Sequence, residues 1–255
     1  MNNNHFSIFN AARNTYLFAG REAGYLLKLG AAPILAQALT SAFVQYMRPE
    51  ASLLESHLWS LPASVLFAWF VFVELRLLLL GERLEKTPRD PVHAARRRKA
   101  MNLTVLIILL FSMAFTAATA VLASMSPDTD GVETAPVYSV VSAFVVGGMV
   151  WALRYGALIP LAAGEQPLSP FLKRAQGVML SFRLIGLGIV VLFPAFFVSQ
   201  ILLSPLLAQV MLQKEPGSTA HMMLAVAGAP LSWLTALLLN AAVAYAIKDI
   251  QGGHA

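Results

Sequence analysis

Six long apolar stretches, 24–47, 58–80, 101–125, 137–163, 184–212 and 222–247, set the terms on which this chain can fold. A helix crossing a hydrocarbon core of about 30 Å needs roughly 20 mostly apolar residues, and each stretch supplies them. Strands of a membrane barrel would alternate apolar and polar residues over about ten positions, and these runs do not alternate. Composition agrees, with 58% hydrophobic and 12% charged residues. A soluble domain carries about 25% charged residues, so half that charge excludes soluble and disordered readings. The absence of Cys removes thiolate metal sites, disulfides and cysteine nucleophiles together. The fifth stretch is long enough that tilt, a kink at Pro194 or an end at Pro205 must absorb its excess.

The basic residues then orient the spans. Arg13, Arg21 and Lys28 precede or open the first. Arg83, Lys86, Arg89, Arg96, Arg97, Arg98 and Lys99 fill the second connection, Lys173, Arg174 and Arg183 the fourth, and Lys248 the tail. The opposite side has Arg48 and Lys214, so the balance outside the spans is fourteen against two. The positive-inside rule places both termini in the cytoplasm. A signal peptide would have a short n-region and an apolar core of about 7–15 residues, so the first span is read as uncleaved.

The hairpins carry an internal echo. The second span ends Leu79-Leu80-Gly81-Glu82 and the fourth Ala162-Ala163-Gly164-Glu165. A capping residue and proline follow each, Asp90-Pro91 and Ser169-Pro170, a helix-start signal. Basic residues come next, Arg96–Lys99 and Lys173-Arg174, and then a new span. Leu168, Phe171, Leu172, Ala175 and Met179 share one helical face. Phe6, Phe9, Ala12 and Tyr16 make a similar stripe near the N-terminus, beside Arg13 and Arg21. The expectation is an all-α, polytopic transmembrane bundle of six spans in one membrane domain over 1–255. Three pseudo-repeated hairpins, about 5–82, 90–165 and 169–249, would each follow a basic amphipathic interfacial helix meeting anionic lipid. Ordinary positive-inside linkers are the plainer alternative.

The stretch Trp151-Ala-Leu-Arg154-Tyr155-Gly-Ala-Leu-Ile-Pro160-Leu-Ala-Ala-Gly164-Glu165-Gln-Pro-Leu168, continuing to Phe171-Leu-Lys173-Arg174-Ala175, resembles the YciC-like family of six-span bacterial inner-membrane proteins. It is similar too to the membrane domain attached to some glycerophosphodiester phosphodiesterases. Those sequences place an Arg in a span, then a Pro, a Gly-Glu turn and a basic helix. Where the family pattern puts a Ser-Trp pair, Ala175-Gln176 stands here. The resemblance implies an inner-membrane helical domain. It brings no catalysis, because the soluble phosphodiesterase domain has no counterpart in this chain.

Charges inside apolar runs are costly and mark functional candidates. They are Glu74, Arg76 and Arg154, with Tyr155 beside the last. Glu74 and Arg154 have comparable depths, so a pair between them either locks two hairpins or lines a cavity for an anion; the lock is favoured, since a transport path recruits more polar groups. Arg76, nearer the end, is expected to snorkel. Arg13, Arg21, Arg96, Arg97, Arg98, Lys99, Lys173, Arg174 and Arg183 are the candidate lipid-headgroup residues. Gln37, Gln200 and Asn240 suit interhelical hydrogen bonds, and Pro33, Pro160, Pro194 and Pro230 could open kinks.

The five histidines are scattered, and neither a nucleophile elbow nor a phosphate loop occurs. The reading is therefore no enzyme, no cofactor, no metal and no nucleic acid. It is a scaffold or accessory subunit of a membrane assembly, with anionic phospholipid and a membrane protein or a second copy as partners. A small-solute or lipid transporter using Arg154 and Glu74 is the rival.

Overall fold

The computed structural model describes residues 6–48, 51–84, 90–124, 142, 147–148, 155–169, 178–213 and 218–252. Described helices run α1 (Ile8–Arg21), α2 (Ala23–Met47), α3 (Leu53–Trp59), α4 (Leu61–Leu80), α5 (Pro91–Ser124), α6 (Leu158–Ala163), α7 (Val178–Gln213) and α8 (Thr219–Gly252). No strand occurs among the described residues. Five helices, α2, α4, α5, α7 and α8, are long and apolar enough to cross a membrane. The expected span at 137–163 and the helix start at Ser169-Pro170 fall largely outside the described residues.

Helix α4 is the axis of the bundle. Of its most apolar window 56% is buried, against at most 22% in the other four spans. It packs on α2, α5, α6 and α8, and α8 in turn packs on α7, α2 and α1. Apolar on every side apart from Glu74 and Arg76, α4 buries every residue from Phe70 to Leu78. The outward faces of α5 and α7 carry Leu106, Leu110, Phe193, Phe196, Ile201 and Leu202, all exposed, as lipid-facing surfaces require.

Three expectations change. The basic segment after Asp90-Pro91 is not a separate interfacial helix. Asp90 Oδ1 accepts the Val92 N–H at 3.0 Å, and one unbroken helix of 34 residues follows. At 1.5 Å per residue that is about 51 Å, so its first turns extend past a core of about 30 Å and carry Arg96–Lys99 with them. Secondly, α7 continues through both Pro194 and Pro205 for 36 residues, so neither proline ends it; membrane helices tolerate proline because neighbours re-satisfy the freed carbonyls.

Thirdly, α1 turns only part of the expected stripe inward, Phe6 and Ala12 but not Phe9. Phe6, Ala11, Ala12, Thr15 and Phe18 are buried against α7 and α8, whereas Phe9 is 76% exposed. The small side chains of Ala11 and Ala12 let the helix sit close, and the Tyr16 hydroxyl donates to the Val191 carbonyl. Protein packing, rather than the stripe of largest residues, chose the buried side.

Candidate functional site

The two Gly-Glu turns meet at one end of the bundle, and Arg76 joins them. Gly81 closes α4 in the left-handed region, φ 67°, with its N–H on the Leu77 carbonyl at 3.0 Å. The second turn is built differently. There Glu165 itself takes the left-handed conformation, φ 56°. Its N–H bonds Ala162 O at 3.2 Å and that of Gln166 bonds Leu161 O at 2.9 Å, a Schellman closure. A non-glycine residue there costs about 1 kcal/mol, which the ion pair it makes can offset.

Both turns aim a carboxylate back under α4. Arg76 Nε and Nη2 donate to Glu82 Oε2 and Oε1 at 2.8 and 3.0 Å, and Nη1 to Glu165 Oε1 at 2.8 Å. Nη1 also reaches the Ala163 carbonyl at 3.1 Å, and the guanidinium sits 5.5 Å from the Phe72 ring centroid. Four bonds therefore go to three acceptor groups, the fork geometry that suits arginine and not lysine. The expected snorkelling does not occur, and Arg76 is 2% exposed. The carboxylates come to the guanidinium, so it has no need to reach water. A cation also suits the negative ends of α4 and α6, whose last carbonyls point here.

Neighbouring contacts tie the same end to the rest of the fold. Lys248 Nζ donates to the Leu78 carbonyl at 2.7 Å, fastening α8 to the end of α4. Arg83 pairs with Glu22 at 3.0 Å and lies 5.0 Å from the Tyr25 ring, whose hydroxyl accepts the Leu84 N–H at 2.8 Å. Gln251 Nε2 donates to Gln166 Oε1 at 2.8 Å. Residues 22, 76–84, 163–166 and 248–251 thus share one end.

Arg76 holds the Glu82 carboxyl below its ordinary range by hydrogen bonding, with Arg97 and His93 adding attraction. A depressed native pKa gives stability that is present above the unfolded value and lost as pH falls through the native one. Unfolding temperature is therefore expected to hold near neutrality and decline below about pH 4. An Arg76→Met variant should flatten that decline; an unchanged acid slope would refute the assignment.

The other candidates separate. Glu74 is fully buried, and neither of its carboxylate oxygens has a hydrogen-bond partner among the described residues. Arg154, its expected partner, lies outside the described residues, as do Lys173 and Arg174. Tyr155 is 42% exposed. Arg183 donates to the Phe6 carbonyl at 3.1 Å, so it pins the start of α1 to α7. Arg13, Arg21, Arg96, Arg98 and Lys99 are exposed, and Arg97 is half-buried. Arg97 and Arg98 line a groove of about 310 Å³ whose apolar walls include Trp69, Phe72, Leu84 and Met101. Glu82 and Glu165, the decisive partners of Arg76, were visible in the sequence as the repeated Gly-Glu pair. No protein-family model, curated protein or solved structure matches the chain.

Proposed function

We propose that the protein is a non-enzymatic component of the bacterial inner membrane, a scaffold or accessory subunit with both termini in the cytoplasm and a cytoplasmic end that holds anionic phospholipid. The observation that carries this reading is the groove of Arg97 and Arg98 over Trp69, Phe72 and Met101, at the end of the bundle where the basic residues collect. Two guanidinium groups over an aromatic and aliphatic wall match a phosphate headgroup followed by acyl chain. The likeness to YciC-like proteins supports the same placement. The Arg76 network supports a static role, because four of its hydrogen bonds lie within the bundle end.

Native mass spectrometry of the protein released from vesicles containing phosphatidylglycerol tests the lipid reading. At about 1 kcal/mol per basic residue, Arg97→Ala with Arg98→Ala is expected to reduce retained lipid about thirty-fold; unchanged retention refutes it. The accessory role predicts a stoichiometric membrane partner in a mild-detergent pull-down. Repeated recovery of a lone monomer counts against it.

Glu74 favours a second reading, transport, because an intramembrane carboxyl is a functional candidate by default. Under the scaffold reading Glu74→Gln leaves abundance and partner recovery intact. Loss of solute uptake at normal abundance would select the transporter.

A further inference from the structure

The bundle holds a second polar feature, far from the Gly-Glu turns. A cavity of about 240 Å³ lies where α2, α3, α4, α5 and α8 converge. Its wall includes Gln37, His57, Ser64, Ser112, Phe67 and Trp233, contributed by all five helices. Ser64 and Phe67 stand one and two turns inside α4 from its Ser60 end, so the cavity reaches about 10 Å into a membrane span. Polar side chains at such depth are expensive, and they gather in membrane proteins around water or a ligand.

The chemistry of the wall narrows the ligand. Among the described residues the wall carries no Lys, Arg, Asp or Glu, so none of them compensates a charged solute. Trp233 is 7% exposed and its indole N–H has no acceptor among the described residues. Gln37 donates to Ser41 at 3.4 Å, and no donor reaches its own carbonyl oxygen among the described residues. His57 Nε2 and Ser112 Oγ lie 3.4 Å apart across α3 and α5. The site therefore presents an unmet donor, an unmet acceptor and two groups of either sense, beside the aromatic surfaces of Phe67 and Trp233. Pro33, whose ring cannot donate, lines the same space, so α2 lacks one backbone donor there. At about 30 Å³ per water the volume holds about eight waters, or a solute of similar size.

We propose that this cavity is a binding site for a small uncharged solute rich in hydroxyl groups, entered from the end of the bundle opposite the Arg76 network. Hydroxyls both donate and accept, which matches the mixed demands of Trp233, Gln37, His57 and Ser112. Solute in the cavity would supply an acceptor for the Trp233 N–H, which has none among the described residues. The proposal is independent of the lipid groove, which lies at the other end of α4.

The cysteine-free chain makes the test direct. Single variants Ser112→Cys and Ser64→Cys are reconstituted in liposomes and labelled with a small neutral thiol reagent, with and without erythritol. Leu110→Cys, on the exposed lipid-facing side of α5, is the control. The expected result is labelling of both cavity cysteines at least ten-fold faster than the control, since thiolate forms readily only where water reaches. Erythritol should slow it at least three-fold, while sucrose at equal osmolality, too large to enter, should not. Adding Trp233→Phe should keep the labelling fast and abolish the protection. Labelling no faster than the control means a dry or lipid-filled cavity and overturns the proposal. Fast labelling that erythritol leaves unchanged means water alone, and overturns it equally. Protection that survives Trp233→Phe shows that the indole N–H does not meet the solute, and overturns the proposal as well.

Discussion

Replacing Arg76 by methionine is expected to destabilise the protein by about 4 kcal/mol, the usual cost of stripping one partner from a buried ion pair. The guanidinium is 2% exposed, and Glu82 and Glu165 are 27% and 29% exposed, so both carboxylates would stay largely shielded with nothing to face. For a chain of this size the unfolding midpoint in detergent should fall by about 8–16 °C, read by tryptophan fluorescence. Arg76→Lys should recover only part of the loss, because an ammonium cannot fork onto Glu82 and still reach Glu165 and the Ala163 carbonyl. The decisive variant adds Glu82→Gln and Glu165→Gln to Arg76→Met. Removing all the charge together should return most of the stability, since a buried ion pair contributes little net energy over a neutral replacement. If the single variant loses less than about 1 kcal/mol, the network does not hold the bundle end.

The second large effect is expected at Gly30. A Cβ there would stand 2.5 Å from two carbons of the Trp233 indole, closer than atoms can approach. Phe70 lies 5.3 Å from the indole, centroid to centroid, and both residues are buried, so retreat in that direction is blocked. Gly30→Ala should therefore cost about 2 kcal/mol and lower the midpoint by about 4–8 °C, as overpacking does in a tight core. In a double-mutant cycle Trp233→Leu should absorb much of that cost, since the shorter side chain vacates the clash. Additive losses would mean that the glycine serves some other purpose. Gly24, with nothing within 4 Å of an added Cβ, is the control, and Gly24→Ala should be nearly neutral.

The outline of this architecture was legible in the sequence, and the reason is physical. Apolar length decides which segments can cross a membrane, and five of the six stretches overlap helices long enough to do so. Asp90-Pro91 marked a helix start correctly because capping is local chemistry. What followed it was not legible: nothing in Arg96–Lys99 distinguishes a separate surface helix from the first turns of a longer one. The face of α1 was legible only in part, Phe6 and Ala12 but not Phe9, for a related reason. Large residues such as Phe9 dominate a stripe on paper, but the close approach of α7 and α8 is set by Ala11 and Ala12.

The site shows the same division. The paired Gly81-Glu82 and Gly164-Glu165 were visible as a repeat, and Arg76 as an intramembrane charge. That one arginine serves both turns depends on where α6 docks against α4, a long-range fact that no spacing encodes. Gln37 looked like an isolated helix-pairing group, and nothing in the sequence singled out Ser64 or Ser112. The three converge only because α2, α4 and α5 bring corresponding depths together around His57.

Arg76 also imposes an order of events on the newborn chain. Glu82 follows it by six residues, so a full counter-charge is available almost at once. Glu165 is 89 residues later. At about 5–20 residues per second of synthesis, the arginine waits roughly 4–18 seconds for its second carboxylate. During that interval α4 enters the bilayer with its contact to the second turn still unmade, and that turn completes the Arg76 network when it arrives.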